Sequence, residues 1–407
     1  MACLCGIVPP FLLEGIANSK TNPEHIRAEA QVSLDHHRRL AKHRNQRSFA
    51  HAEQHTIQQS SQQSNSFIPQ DILKQLSQST GVDVTTPASA NKVPAVLTQQ
   101  TQTDQQSIST IKEAPARLVY NAQNTIADSG LPGTLVRIDG QPQAGDSAIN
   151  QAFDNIGVVI QFYKDVFGWR SLDNQNGEVK GSVHVGNRMQ NAYWNGSEML
   201  FGDGGNFIYN FTGCLDVIAH ELTHAVTTHT TALVYEGESG ALNEHLSDVF
   251  GIMVKQRAAN ITVDKADWLI GEGCLLPGVK GVAVRSMKDP GSAYDDPRFG
   301  YDRQVSQMAD FVYSPFDESH DFGGVHVNSG IPNKAFYLVA TAFGGSSWEK
   351  AGQIWWKAIR SGQVPPTCSF LQFADITVDS AKQVGGDGAA TIVRQAWNDV
   401  GVQGDGK

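Results

Sequence analysis

The order of segments predicts an α+β protein, with strands gathered ahead of helices. Three observations carry that reading. Short β-like runs lie at residues 117–120, 135–138, 182–185 and 206–209, one long amphipathic helix interrupts them, and the half beyond Ala241 is mostly helical. The chain has 407 residues, 40% of them apolar, so two packed lobes and a leader are expected. In the interrupting helix, Ile149, Phe153, Ile156, Ile160, Tyr163 and Phe167 recur at three- and four-residue steps, which puts them on one face. Further helices are expected at 334–342, at 348–360 with Ile354 and Ala358, and at 389–400 with Ile392 and Ala396.

Ahead of the strands the composition changes. Between residues 54 and 106 Gln, Ser and Thr dominate and aromatics are few, so the segment has too little apolar surface to offset its ordering entropy. A flexible linker is therefore expected over 51–112, between a leader at 1–50 and catalytic lobes at 113–230 and 231–407. The leader opens with Cys5-Gly-Ile-Val-Pro-Pro-Phe-Leu-Leu, followed by an expected helix at 23–44 with Ile26, Ala30 and Leu34 on one face. A His-rich segment at its end and just beyond (His36, His37, His43, His51 and His55) is read as a solvated, mildly basic helix, with metal scavenging as the alternative.

Net charge is −10 and no basic patch with interleaved aromatics is present, which argues against a nucleic-acid partner. No apolar run approaches eighteen residues, so no membrane-spanning helix is expected. Cys3, Cys5, Cys214, Cys274 and Cys368 are scattered and suggest no disulfide framework. The first apolar stretch contains Pro9-Pro10 and has no basic flank, unlike an ordinary secretory signal. The expectation is a monomer that is either exported by an unconventional route or held in the cytoplasm as a zymogen.

The chemistry is concentrated in Asp216-Val-Ile-Ala-His-Glu-Leu-Thr-His-Ala-Val226. Residues four apart share a helix face, so His220 and His224 can hold one zinc ion while Glu221 reaches a water beside it. Ile218, Leu222 and Ala225 form an adjacent apolar stripe, and no Gly or Pro interrupts the run. Two histidines and a carboxylate leave a coordination position open for water, as a catalytic zinc site needs. Glu244 is the carboxylate candidate: Gly237 and Gly240 mark a turn, and Ala241-Leu-Asn-Glu-His-Leu-Ser-Asp-Val-Phe-Gly251 reads as a second helix entering the site. Asp248, one turn further on, is placed to accept the free ring N–H of a zinc-bound histidine. Asn243 is expected to support the ligands in the same way.

With these motifs in view the chain resembles the thermolysin-like neutral metalloproteases. Asn191-Ala-Tyr-Trp194, the His220 to His224 helix, Tyr235, Gly240-Ala-Leu-Asn-Glu244, Arg285-Ser-Met-Lys-Asp289 and Gly324-Val-His-Val-Asn-Ser-Gly330 follow the family's order across residues 118–402. The resemblance implies a two-lobed protease with the zinc helix at the cleft floor, Glu221 as general base, and Tyr235 and His326 as oxyanion donors, with Asp321 orienting His326. It also implies that Asn191, Ala192 and Arg285 grip the substrate backbone. Phe211, Val217 and Val284 would line a pocket for a bulky apolar residue just after the cut, with Phe211 standing where a smaller aliphatic is more typical. Asp216, Asp267 and Glu272 match part of the family's calcium cluster, while Lys255 and Leu269 stand where further carboxylates belong. At most one calcium ion is expected there, because the Lys255 ammonium can neutralise the remaining acids.

The leader resembles the short propeptide of the protealysin branch, which implies an intramolecular inhibitor. Cys5 is a candidate zinc ligand in such a precursor, since a thiolate is a good soft ligand. A zinc aminopeptidase would need an acidic anchor for the substrate amine, and no such motif is present. A non-catalytic zinc-binding relative would have no chemical requirement for Glu221, Tyr235 and His326.

Overall fold

Cys5–Gly6, Arg117–Asn121, Thr134–Ile138, Val179–Val183, Ala192–Trp194 and Met199–Phe201 form strands β1 to β6 of one mixed sheet, in the order β1-β5-β6-β4-β2-β3. The computed structural model describes residues 5–39, 114–126 and 130–403; the expected linker lies outside them. By its contacts the chain divides into one unit of Met1–Phe49 with Ala114–Lys407 and a second of Ala50–Glu113. The leader therefore packs with the catalytic part. Helix α1 spans Pro10–Asn18 and helix α2 runs over 24–39, so of the expected 23–44 the last residues fall outside the described chain.

The predicted strands at 117–120 and 135–138 form as β2 and β3. The third lies a few residues earlier than expected, at Val179–Val183. Residues 206–209 make only isolated bridges, Gly204 to Tyr209 and Ile208 to Leu275, because Gly204 and Asn210 turn the backbone through positive φ on either side. Strand β1 adds antiparallel to β5, pairing Cys5 with Trp194 and Gly6 with Tyr193.

Helix α3, Ser147–Phe167, starts where the Asp146 side chain accepts from the Ala148 and Ile149 N–H groups, and stops at Gly168 with φ 65°. Its face of Ile149, Phe153, Ile156, Ile160 and Tyr163 is buried. Each such side chain stabilises the fold by about 1.5–3 kcal/mol relative to exposure. The Tyr163 hydroxyl lies 2.7 Å from Thr223 Oγ1, fixing α3 to helix α4, Leu215–Thr230, which carries the zinc motif.

Helix α5, Gly237–Ala258, is buried on nearly every side, so it has no amphipathic stripe. It starts at Gly237, and Gly240, expected in a turn, lies inside it; a Cβ there would fall 2.5 Å from Val325 Cγ1. Strands β7 (Leu269–Ile270) and β8 (Arg285–Ser286) pair antiparallel beyond it. The helical half continues with α6 (Asp321–Asn328), α7 (Gly330–Phe343), α8 (Lys350–Arg360) and α9 (Phe370–Asp399). The helix expected at 389–400 is the far part of α9, beyond a break at Gly385 and Gly386. Among the described residues no helix is long and apolar enough to cross a membrane.

Candidate active site

Helices α4 and α5 pack together and bring His220, His224 and Glu244 to one point, their ligand atoms all within 4.8 Å of one another and all buried. His220 Nδ1 lies 2.9 Å from Asp248 Oδ1, and His224 Nδ1 lies 2.8 Å from Asn243 Oδ1. Both partners accept, so each ring keeps its proton on Nδ1 and turns the Nε2 lone pair inward. The two Nε2 atoms face each other at 3.1 Å, with Glu244 Oε2 3.5 Å from that of His220. Two ring nitrogens and a carboxylate this close need a cation among them, a proton on an imidazole or a bound metal, and against the effect of burial Asp248 and Glu244 raise the His220 pKa. Zinc ligands at 2.0–2.1 Å around a tetrahedral ion sit roughly 3.3 Å apart, so this donor set fits zinc.

Behind the ligands, Asp248 is held on every side. Arg285 donates to it through Nε at 2.9 Å and Nη2 at 2.7 Å, and Asn333 Nδ2 donates at 2.9 Å. Burial works against its charge, but Arg285 and His220 together hold its carboxyl well below the usual range. Ser247 Oγ stands 3.1 Å from His224 Nδ1. Neither Asn333 nor Ser247 was anticipated. Asn333 lies 85 residues from Asp248 and outside any motif, whereas Ser247 sits one turn beyond Asn243 and could have been read from that spacing.

Glu221 is fully buried beside the ligands, and burial pushes its carboxyl well above the ordinary range, with the nearby His220 charge acting the other way. Tyr235 donates its hydroxyl hydrogen to Glu244 Oε1 and lies 3.5 Å from His326 Nε2. His326 is placed by an uncommon backbone: in the first turn of α6, Asp321, Phe322, Gly323 and Gly324 have φ of 52°, 48°, 91° and 73°. That left-handed stretch folds Asp321 back, with Oδ1 2.7 Å from His326 Nδ1 and Oδ2 accepting the His326 backbone N–H at 2.9 Å. Burial opposes a charge on His326, but Asp321 and then Glu244 outweigh it and raise its pKa.

Leader residues lie across this centre. The Ile7 N–H donates to the Ala192 carbonyl at 3.2 Å, and the Val8 N–H donates to Asn191 Oδ1 at 2.8 Å. Asn191 Nδ2 donates to the Val8 carbonyl at 3.0 Å, and Arg285 Nη1 donates to the Ile7 carbonyl at 2.6 Å. The Gly6 carbonyl oxygen lies 3.1 Å from His326 Nε2. Ile7 is fully buried, in one continuous apolar cluster with Phe211, Val217 and Val284. The Cys5 backbone pairs with Trp194, but its side chain lies outside the described residues.

His36 and His37 correct an expectation. Rather than forming a solvated face, both are buried, with ring centroids 5.6 Å and 6.1 Å from Tyr193, and His37 lies 6.5 Å from His326. The α2 face that carries them covers the cleft. His43, His51 and His55 lie outside the described residues.

At the calcium-like cluster, Lys255 Nζ donates to Asp267 at 3.1 Å, Glu272 at 3.1 Å and the Leu269 carbonyl at 3.0 Å. Asp216, fully buried nearby, accepts from the Gly271 N–H at 2.8 Å. The acids do gather, but around an ammonium, so the residues present do not fit a complete divalent site there.

A centre of this kind, set where a β-rich lobe meets a helical one, belongs to a zinc peptidase. Residues 91–228 match the family model described as the thermolysin metallopeptidase catalytic domain, and 231–402 match its alpha-helical domain. An extracellular metalloprotease of Pectobacterium carotovorum subsp. carotovorum is 48% identical over 67% of this chain and 78% of that protein. Protease PrtS of Photorhabdus sp. (strain Az29) is 44% identical over 70% and 76%. Among solved structures, the precursor of protealysin, a metalloproteinase from Serratia proteamaculans, is similar with a TM-score of 0.75 and 37% identity, covering 98% of this chain and all of that one. The chain belongs to the thermolysin metallopeptidase family and is a zinc-dependent endopeptidase of its protealysin branch.

Proposed function

We propose that this endopeptidase is a precursor whose leader blocks the cleft in the register of a substrate, and that the processed enzyme cuts before bulky hydrophobic residues. One observation carries the reading: Gly6 to Val8 make the backbone contacts an extended peptide would make, with the Gly6 carbonyl at His326 and the Ile7 carbonyl at Arg285. Addition of a strand at β5 holds a peptide without reading every side chain. Ile7, just after the would-be scissile bond, stands for the bulky apolar residue of a substrate. Phe211, Val217 and Val284 are the pocket residues in this reading.

Zinc held by His220, His224 and Glu244 would polarise a water and lower its pKa toward neutrality. Glu221 takes that water's proton and passes it to the leaving amine. Negative charge then develops on the substrate carbonyl oxygen, where His326 and Tyr235 donate. Arg285 fixes the next carbonyl, and Asp248 keeps both Arg285 and His220 aligned. Asn243 does the same for His224. The name of the Pectobacterium relative supports export, and all site residues come from a single chain, in keeping with a monomer. The net charge of −10 argues against a nucleic-acid substrate.

The test is cleavage of an internally quenched peptide library by the processed enzyme, with product ends mapped by mass spectrometry. Cuts before Leu, Ile, Val or Phe are expected, lost on chelation and lowered at least about 10²- to 10⁴-fold in Glu221→Gln. Full activity in Glu221→Gln overturns the base assignment, and cuts without an apolar residue on the leaving side overturn the pocket.

A further inference from the structure

The cysteines suggest no pairing in the sequence, but the fold brings two of them together. Cys214 is the N-cap of α4, and Cys274 closes the short 3-10 turn after β7. Their Sγ atoms lie 3.2 Å apart, and both residues are buried. The backbone fixes each from the far side: the Cys214 N–H donates to the Asn210 carbonyl at 3.2 Å, and the Cys274 carbonyl accepts from the Tyr209 N–H at 2.9 Å. Ile208 and Leu275 bridge next to this, so the two cysteines flank one pinned segment. A Cβ on Gly273 would fall 3.0 Å from Cys214 Sγ, and that position is glycine. Cys368, the remaining described cysteine with a described side chain, has Sγ hydrogen-bonded instead to the Ser369 carbonyl.

We propose that Cys214 and Cys274 are a disulfide-forming pair that closes the metal-binding segment into a covalent loop. A bond length of about 2.05 Å requires the sulfurs to approach by roughly 1.2 Å, a side-chain adjustment. The loop spans 60 residues in sequence and carries His220, Glu221, His224 and Glu244. Closing it restricts the unfolded chain and fastens the N-cap of the zinc helix to the loop leading into β8 and Arg285.

The oxidant class is a low-molecular-weight disulfide, such as oxidised glutathione. One cysteine thiolate attacks a sulfur of the oxidant, its S–S bond breaks, and one thiol equivalent leaves from a mixed disulfide. The second thiolate attacks the protein sulfur of that mixed disulfide and expels the other thiol equivalent. Two protein thiols are oxidised to one disulfide, one oxidant molecule is reduced to two thiols, and the two cysteine protons finish on them. Both cysteines are buried in the folded chain, so exchange is slow once the fold has closed and the bond forms during folding in an oxidising compartment.

The experiment refolds the full chain in a reduced/oxidised glutathione buffer and, separately, in a phosphine reductant. Free thiols are then alkylated and non-reduced peptides are mapped by mass spectrometry. A Cys214–Cys274 linked peptide is expected in the first sample and absent from the second, with Cys368 alkylated in both. Thermal midpoint should be higher in the linked form, by on the order of 5 °C, and lower in Cys214→Ser and in Cys274→Ala. Complete alkylation of both cysteines after oxidative refolding overturns the proposal, as does their appearance in links to Cys3, Cys5 or Cys368. Mapping of the unsubstituted chain decides the question even where a variant does not fold.

Discussion

In the proposed mechanism His326 donates to a developing oxyanion through Nε2 while its Nδ1–H is engaged with Asp321, so its useful form is the doubly protonated ring. Asp321, 2.7 Å away, raises its pKa against the effect of burial. Activity supported by this donor is therefore present below the raised pKa and lost as pH rises through it. In Asp321→Asn the alkaline limb of kcat/KM should move to lower pH, with KM little changed; a profile with the parent's alkaline limb would contradict the orienting role. At this scale the sequence was most legible where a residue type and its spacing suffice, as for His220, Glu221 and His224, whereas Asp321 and His326 were singled out through the family resemblance. It was least legible for partners brought in from elsewhere. Arg285, expected to grip the substrate backbone, is also buried against Asp248, 37 residues away. Asn333 could not be found at all without the fold.

The junction of α4, α5 and β7 depends on Lys255. Its ammonium neutralises Asp267 and Glu272, contributes to the environment of buried Asp216, and caps the Leu269 carbonyl. Lys255→Ala leaves those acids facing one another, at a cost of about 1–3 kcal/mol, mostly from the buried Asp216. The thermal midpoint should fall by several degrees, and millimolar calcium should restore part of the loss in the variant while leaving the parent unmoved. A variant as stable as the parent, or a parent that calcium stabilises equally, would contradict the substitution of ammonium for ion. Helices α3 and α4 were readable because an apolar stripe repeats in register. Strand β6 and the early start of β4 were not, since three buried residues such as Met199, Leu200 and Phe201 show no alternation and no helical period. The histidines of α2 misled for a related reason: a polar residue reads as solvated until another surface covers it.

Across the whole molecule the leader makes the site intelligible. It supplies a sixth strand to the sheet, seats Ile7 in the apolar cluster, and lays His36 and His37 over Tyr193. Asn22 Nδ2 donates to the Arg298 carbonyl at 2.8 Å, and Arg188 pairs with Glu29 at 2.8 Å, which ties the leader to both lobes. Gly6 is the close point, because a Cβ there would fall 2.7 Å from Asn191 Nδ2 and from Tyr193 Cε1. The α+β order, the zinc helix and the presence of a leader could all be foreseen from the sequence. The register of the leader in the cleft could not, because it rests on backbone hydrogen bonds that leave no side-chain pattern. The decisive measurement is the initial rate on a quenched peptide for the folded precursor, for the same chain after proteolytic removal of its leader, and for the Gly6→Val precursor. The account predicts at least a tenfold rise on removal and an intermediate rate for Gly6→Val, as expected when about 1.4 kcal/mol or more of docking is lost. Equal rates for all three would contradict it.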